Sequence, residues 1–84
     1  TSDHILDYIE LDGDYSIFEL STPEEWKGKT VVQLDLRGRY GINILGLRRE
    51  GRLDMSIGPD TLLDAESSVL VLGRHKQVNK CLHI

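Results

Sequence analysis

Arg37, Arg39, Tyr40 and Asn43 are the residues of this chain whose types and spacing could do chemistry. They stand, with Gly38 and Gly41 between them, at the entry to an apolar run over 42–47 that only Asn43 and Gly46 interrupt. A guanidinium presents a rigid fork of donors that matches phosphate oxygens. A primary amide both donates and accepts, as the edge of a nucleobase requires. Arginines ahead of a strand, with an amide on it, can form the rim and floor of an anion or nucleotide pocket. The same residues also make a plain helix–turn–strand connection with solvated arginines. Gly41 can take the positive φ that ends a helix or tight turn and lets the chain swing into a strand.

No catalytic constellation accompanies them. His4, His75 and His83 lie towards the two ends without the His-x-x-x-His spacing of a metal site. Cys81 is the single cysteine, which excludes an internal disulfide and a multi-cysteine zinc site and fits a reducing compartment. It falls on the inner side of a terminal helical pattern, as a small buried side chain. Gly38 and Gly41 do not form a phosphate loop or a dinucleotide fingerprint. The Asp12-Gly13-Asp14 triplet lacks the later ligands of a calcium loop and reads as a turn. The expectation is a protein that is not an enzyme, has no catalytic residues, and needs no metal or cofactor.

With 84 residues, 29% charged and 39% apolar, the chain is long enough for one folded domain with a modest core. The net charge of −4 conceals an asymmetry: the first 26 residues hold eight acids and no lysine or arginine. Five of the six arginines fall between positions 37 and 52, opposed only by Glu50. An acidic whole-chain balance argues against a nucleic-acid partner. A local arginine cluster still suits a small anion. No apolar run approaches the roughly 18 residues of a membrane helix.

The elements that must position these residues follow from periodicity and turn chemistry. Strands are expected at 5–11 and 15–20, joined through Asp12-Gly13-Asp14 as a hairpin. Pro23, Glu24 and Glu25 carry a helix-start signal that Gly28 interrupts, so the firmer helix is placed at about 30–34, with Val31 and Leu34 on one side. Trp26 is expected to cover the core or an interface. A strand over 42–49 turns at Gly51 into a period-two strand at 53–57, which Pro59 closes. Positions 61–67 read as a connection. The most continuous apolar run, 68–72, reads as the central strand, and a last helix buries Val78, Cys81 and Leu82. Ile42, Ile44, Leu45 and Leu47 cannot all share one strand face, which predicts a homodimer that covers the surplus. Residues 1–4 read as a linker remnant and 5–84 as the domain.

The run from Gly28 to Arg49, with its Asp35-Leu36-Arg37 and Tyr40-Gly41-Ile42-Asn43 turns, closely resembles the C-terminal regulatory domain of Trk/Ktr-type potassium-uptake subunits, the TrkA-C or RCK C-terminal domain. The likeness extends back through Tyr15–Leu20 to Leu6–Ile9, and on through Pro59, Val69–Gly73 and the closing helix. It implies an α+β lobe, a small mixed sheet with two or three short helices. It also implies a homodimer that binds cyclic di-AMP at its interface. By that resemblance Arg37 is the phosphate or base-face arginine, Asn43 the adenine-edge amide, and Val31, Val32, Leu36 and Pro59 the apolar lining. The domain would act in the cytoplasm, peripheral to a membrane potassium-translocating subunit reached through a separate N-terminal nucleotide-binding lobe. The same fold also serves as a module of a cation/proton antiporter or other transporter, or as a ligand-free dimerisation domain; those alternatives stay open at this point.

Overall fold

In the computed structural model, residues 4–64 and 66–84 are described. Thr1, Ser2 and Asp3, most of the expected linker remnant, lie outside them, while the carbonyl of His4 accepts the Ser21 N–H at 2.8 Å. β1 (Ile5–Glu10) and β2 (Tyr15–Ser21) form the expected hairpin. Asp12 shapes its turn: one carboxylate oxygen accepts the N–H groups of Asp14 and Tyr15 at 2.8 and 2.9 Å. Those backbone bonds hold the Asp12 carboxyl below its ordinary range.

After a single 3-10 turn at Glu24–Trp26 come β3 (Lys29–Thr30), α1 (Val31–Leu34) and α2 (Leu36–Tyr40). Then follow β4 (Asn43–Arg49), β5 (Arg52–Asp54), β6 (Leu62–Leu63), β7 (Ser68–Arg74) and α3 (His75–Leu82). The main sheet has the order β1-β2-β7-β4-β5, so the apolar run at 68–72 does form the central strand. The α+β class is as expected, but the sheet is not mixed: every pairing in it is antiparallel. Parallel neighbours need a crossover that brings the chain back in the same direction. Here β2 and β4 flank β7 and both run against it, and the outer strands join through tight hairpins.

One sheet face carries the core. Phe18 and Leu20 of β2 stand opposite Val71 and Val69 of β7, with Ile44 and Leu47 of β4 beside them. Leu34, Leu36, Val78 and Leu82 close over this face from the helices, and Trp26 joins them as a core residue. Cys81 sits half-buried on the inner side of α3, where burial pushes its thiol up.

Three features depart from strict pattern reading. A bulge between Ile44 and Gly46 shifts the β4 register, so Ile44 and Leu47 face the core together although they are three apart. The strand expected at 53–57 stops at Asp54, whose carboxylate accepts the Ser56 N–H at 3.0 Å, while Ile57 N–H donates to the Met55 carbonyl at 3.0 Å. These local bonds compete with the ladder. The connection expected at 61–67 contains the two-residue strand β6, paired with β3.

Candidate functional site

The cap of α1 organises the site. Thr30 accepts the Gln33 N–H through its hydroxyl at 3.2 Å, and the Gln33 side chain accepts the Thr30 N–H at 2.8 Å. This reciprocal pair fixes where the helix begins. The next two N–H groups, which no intrahelical carbonyl can satisfy, donate across to another segment. Val31 bonds the Thr61 carbonyl at 3.0 Å and Val32 the Pro59 carbonyl at 2.9 Å. The 58–61 turn is thereby fastened to the helix start. It is also stiffened within itself by the Gly58 N–H donating to the Thr61 hydroxyl at 2.9 Å.

Asp35 then breaks the helix in the left-handed region, at φ 48° and ψ 44°, and the chain restarts as α2. Gly41 ends α2 at φ 68°, its N–H bonding the Arg37 carbonyl at 2.9 Å, as its expected role required. The chain turns directly into β4. Four pieces thus enclose one cavity of about 440 Å³: α1, the Asp35 break with the first turn of α2, the head of β4, and the 57–59 segment. That volume lies within the range of small-molecule sites.

Every residue named from the sequence as ligand-binding lines this cavity: Val31, Val32, Leu36, Arg37, Asn43 and Pro59. Leu36 is buried as its floor, whereas Val32 leaves 59% of its surface to solvent beside the mouth. Pattern reading missed Asp35, Ile42, Ile44, Ile57 and Gly58, which line it as well. The αL backbone of Asp35 is the signal that could have found that residue. Aspartate is among the few non-glycine types that adopt this conformation, and at a helix junction it marks a built turn.

The arginine cluster does not act as a unit. Arg48 donates through Nε to the Glu19 carboxylate at 2.7 Å, and this bond, more than the one from Ser68, holds that carboxyl below its usual range. Arg49 pairs with Asp54 at 3.3 Å and bonds the Leu62 carbonyl at 3.2 Å. Arg39 bonds the Leu34 carbonyl and lies 5.1 Å from the centre of the Tyr40 ring. Successive strand residues point to opposite faces and helix residues fan out, so closeness in sequence scatters the charges. The Arg37 side chain makes no hydrogen bond or ion pair among the described residues, and it is the arginine that lines the cavity. Among those residues no group of three or more His, Cys, Asp or Glu gathers that could hold a metal ion. Among the described residues no helix is long and apolar enough to cross a membrane.

A family model described as the TrkA-C domain matches residues 15–83. The chain belongs to the TrkA-C domain family. The resemblance drawn from the Gly28–Arg49 run is met, and related proteins extend it. This TrkA-C domain is 26% identical over 80 residues to Ktr system potassium uptake protein A of Bacillus subtilis (strain 168), and 29% identical over 79 residues to Ktr system potassium uptake protein C of the same organism. These matches cover 95% and 94% of the chain but 36% of each relative's length, so the chain spans about a third of the curated relatives. Among solved structures it is similar to the RCK C domain of the potassium transport protein KtrA in complex with cyclic diadenosine monophosphate. That match has a TM-score of 0.73 and 30% identity, over 83% of this chain and 84% of the other. It is also similar to the GsuK RCK domain, with a TM-score of 0.75 and 28% identity, over 99% of this chain and 18% of that one.

Proposed function

We propose that this domain is a cytoplasmic regulatory module of a potassium uptake system, and that it senses cyclic di-AMP at the interface of a homodimer. The observation that carries this reading is the convergence of Val31, Val32, Leu36, Arg37, Asn43 and Pro59 on one cavity. Similarity to a KtrA domain solved with that ligand supports it. The chemistry fits each group in turn. The valines and Pro59 offer aliphatic walls for a base, and an arginine whose side chain has no partner among the described residues is available to a phosphate. Asn43 can donate to and accept from an adenine edge. The Asp35 carboxylate would repel a dianion, so it suits this cavity only as an acceptor for the exocyclic amino group of the base. Cyclic di-AMP has a two-fold of its own, and two copies of one cavity meeting about an axis match it half for half.

In this role the domain binds the ligand and carries out no turnover. It acts on a membrane potassium-translocating subunit through other parts of the longer protein. A thermal-shift screen against cyclic dinucleotides and adenine nucleotides tests the reading. Cyclic di-AMP is expected to raise the melting point by several degrees and cyclic di-GMP by less. No shift with cyclic di-AMP at millimolar concentration overturns it.

A further inference from the structure

Behind Leu36 lies a second cavity of about 190 Å³, which shares with the first only that side chain. The 3-10 turn at Glu24–Trp26, β3, the two short helices and the end of α3 wall it. Its depth is apolar. Trp26, Leu34 and Leu36 are core residues, and Tyr40 packs against the same core. Its rim is charged, with Glu25, Lys29 and Arg39 all exposed.

The cations of this rim are not neutralised within the fold. Lys27 pairs with Glu24 at 2.6 Å, but the Lys29 side chain makes no hydrogen bond or ion pair among the described residues. Arg39 donates to the Leu34 carbonyl at 3.2 Å and to the Tyr40 hydroxyl at 3.3 Å. Both acceptors are uncharged. Glu25 stands on the same rim yet forms an ion pair with neither cation. Lys29 and Arg39 against Glu25 alone leave the rim net positive, whatever the charge on His83. That charge reaches the floor: burial pushes the Cys81 thiol up, and of the two charges acting on it the downward pull of Arg39 exceeds the upward push of Glu25.

We infer that this recess is a second ligand site, for a small organic carboxylate whose head meets Lys29 and Arg39 and whose apolar body lies against Trp26 and Leu36. A carboxylate is a stronger acceptor for a guanidinium than the carbonyl and hydroxyl that Arg39 now uses, because the bond is charge-assisted at both ends. The apolar depth decides between oxyanions. A free phosphate is hydrated on every side and gains nothing from aromatic and aliphatic walls, whereas an apolar body releases water there. Volume sets the size: about 190 Å³ is the room of roughly six waters at ~30 Å³ each, enough for a six-membered ring or a short chain and too little for a nucleotide. Neither Arg37 nor Asn43 takes part, so the site stands whether or not cyclic di-AMP fills the first cavity.

The test is a titration of the 84-residue chain with sodium benzoate at fixed ionic strength, with no cyclic dinucleotide present. Trp26 is the single tryptophan and lines the recess, so its fluorescence reads occupancy directly. Benzoate is expected to give a saturable change in the millimolar range. Benzamide, its neutral counterpart, and inorganic phosphate should each bind at least about tenfold more weakly. Arg39→Gln and Lys29→Gln should each weaken benzoate about tenfold. Lys76→Gln, an exposed lysine of α3 outside the recess, should bind like wild type. Circular dichroism checks folding. If Arg39→Gln unfolds, Lys29→Gln decides, since its side chain has no partner in the fold to lose. Cys81, the single cysteine, lines the same recess and gives a second reading: saturating benzoate should slow its alkylation by iodoacetamide several-fold. No saturation at tens of millimolar overturns the inference, as does benzamide or phosphate binding as well as benzoate. Full binding in both rim variants, an equal loss in Lys76→Gln, or alkylation of Cys81 at an unchanged rate overturns it too.

Discussion

Replacing Arg37 by alanine separates binding from folding. In the unliganded domain the side chain is exposed and makes no hydrogen bond or ion pair among the described residues. It sits at the second position of α2, where alanine is at least as good a helix former. The melting point of Arg37→Ala without ligand should therefore lie within the scatter of surface substitutions, about ±0.5 kcal/mol. With ligand the balance differs. Each charge-assisted hydrogen bond is worth about 1.5–3 kcal/mol, and a two-fold site loses two of them, about 3–6 kcal/mol in all. That loss corresponds to a dissociation constant roughly a hundredfold to ten-thousandfold weaker.

At ligand set to about a hundred times the wild-type dissociation constant, wild type gains about 2.7 kcal/mol and the variant at most about 0.4 kcal/mol. For a dimer twice the length of this chain these become shifts of roughly 5–10 °C and under about 2 °C. Arg37→Lys keeps the charge but not the fork and should fall between them. Differential scanning fluorimetry with a cyclic di-AMP titration reads all three. An Arg37→Ala shift as large as that of wild type refutes the assignment. A large drop in its unliganded melting point refutes the claim that Arg37 is idle in the fold.

Asn43→Ala should weaken cyclic di-AMP and narrow its advantage over cyclic di-GMP, measured as the ratio of the two dissociation constants, because the amide reads a base edge. Asp35→Gly should hold or raise the unliganded melting point, since glycine accepts the left-handed backbone at φ 48° without strain, yet weaken the ligand; tighter binding would mean that the carboxylate only repels. The Glu19 carboxyl is held low by Arg48 and Ser68, so its contribution to stability is present above the unfolded-state value near pH 4.3 and is lost as pH falls through the lower folded value. Urea melts of wild type and Glu19→Gln should therefore converge on the acid side. Gly46→Val should cost about 1–3 kcal/mol in urea melts, because the new side chain meets Met55 and the Asp54 carbonyl that close over that position.

Several parts of the fold were legible because they are local. The Asp12-Gly13-Asp14 turn announces itself through aspartate bonds to its own backbone, and the run at 68–72 could only be a fully flanked strand. The α1 start followed from residue types at the right spacing. What stayed hidden depends on register or on competition. The bulge at Leu45 breaks period two without any glycine or proline at that residue. β5 ends early because the Asp54 side chain captures the Ser56 N–H, a choice invisible to alternation. β3 and β6 have two residues each, too few to show a period.

The site was legible in a different way. Arg37 and Asn43 stood out by chemistry, but Val31, Val32, Leu36 and Pro59 entered only through family resemblance, since nothing local links Pro59 to α1. The link is the Val32 N–H reaching the Pro59 carbonyl at 2.9 Å, a tertiary contact made by a helix end with no other partner. Arginine clustering, the loudest charge signal in the chain, proved the least informative. Pairing to Glu19, Asp54 and Tyr40 disperses it and leaves Arg37 at the cavity.

Isothermal titration calorimetry of the wild-type domain with cyclic di-AMP tests the central claim most directly, because stoichiometry reports the shared site. The account predicts saturable binding at about 0.5 ligand per chain, one molecule across each two-fold pair. Binding at one ligand per chain, or no heat at several temperatures with ligand in the hundreds of micromolar, would contradict it.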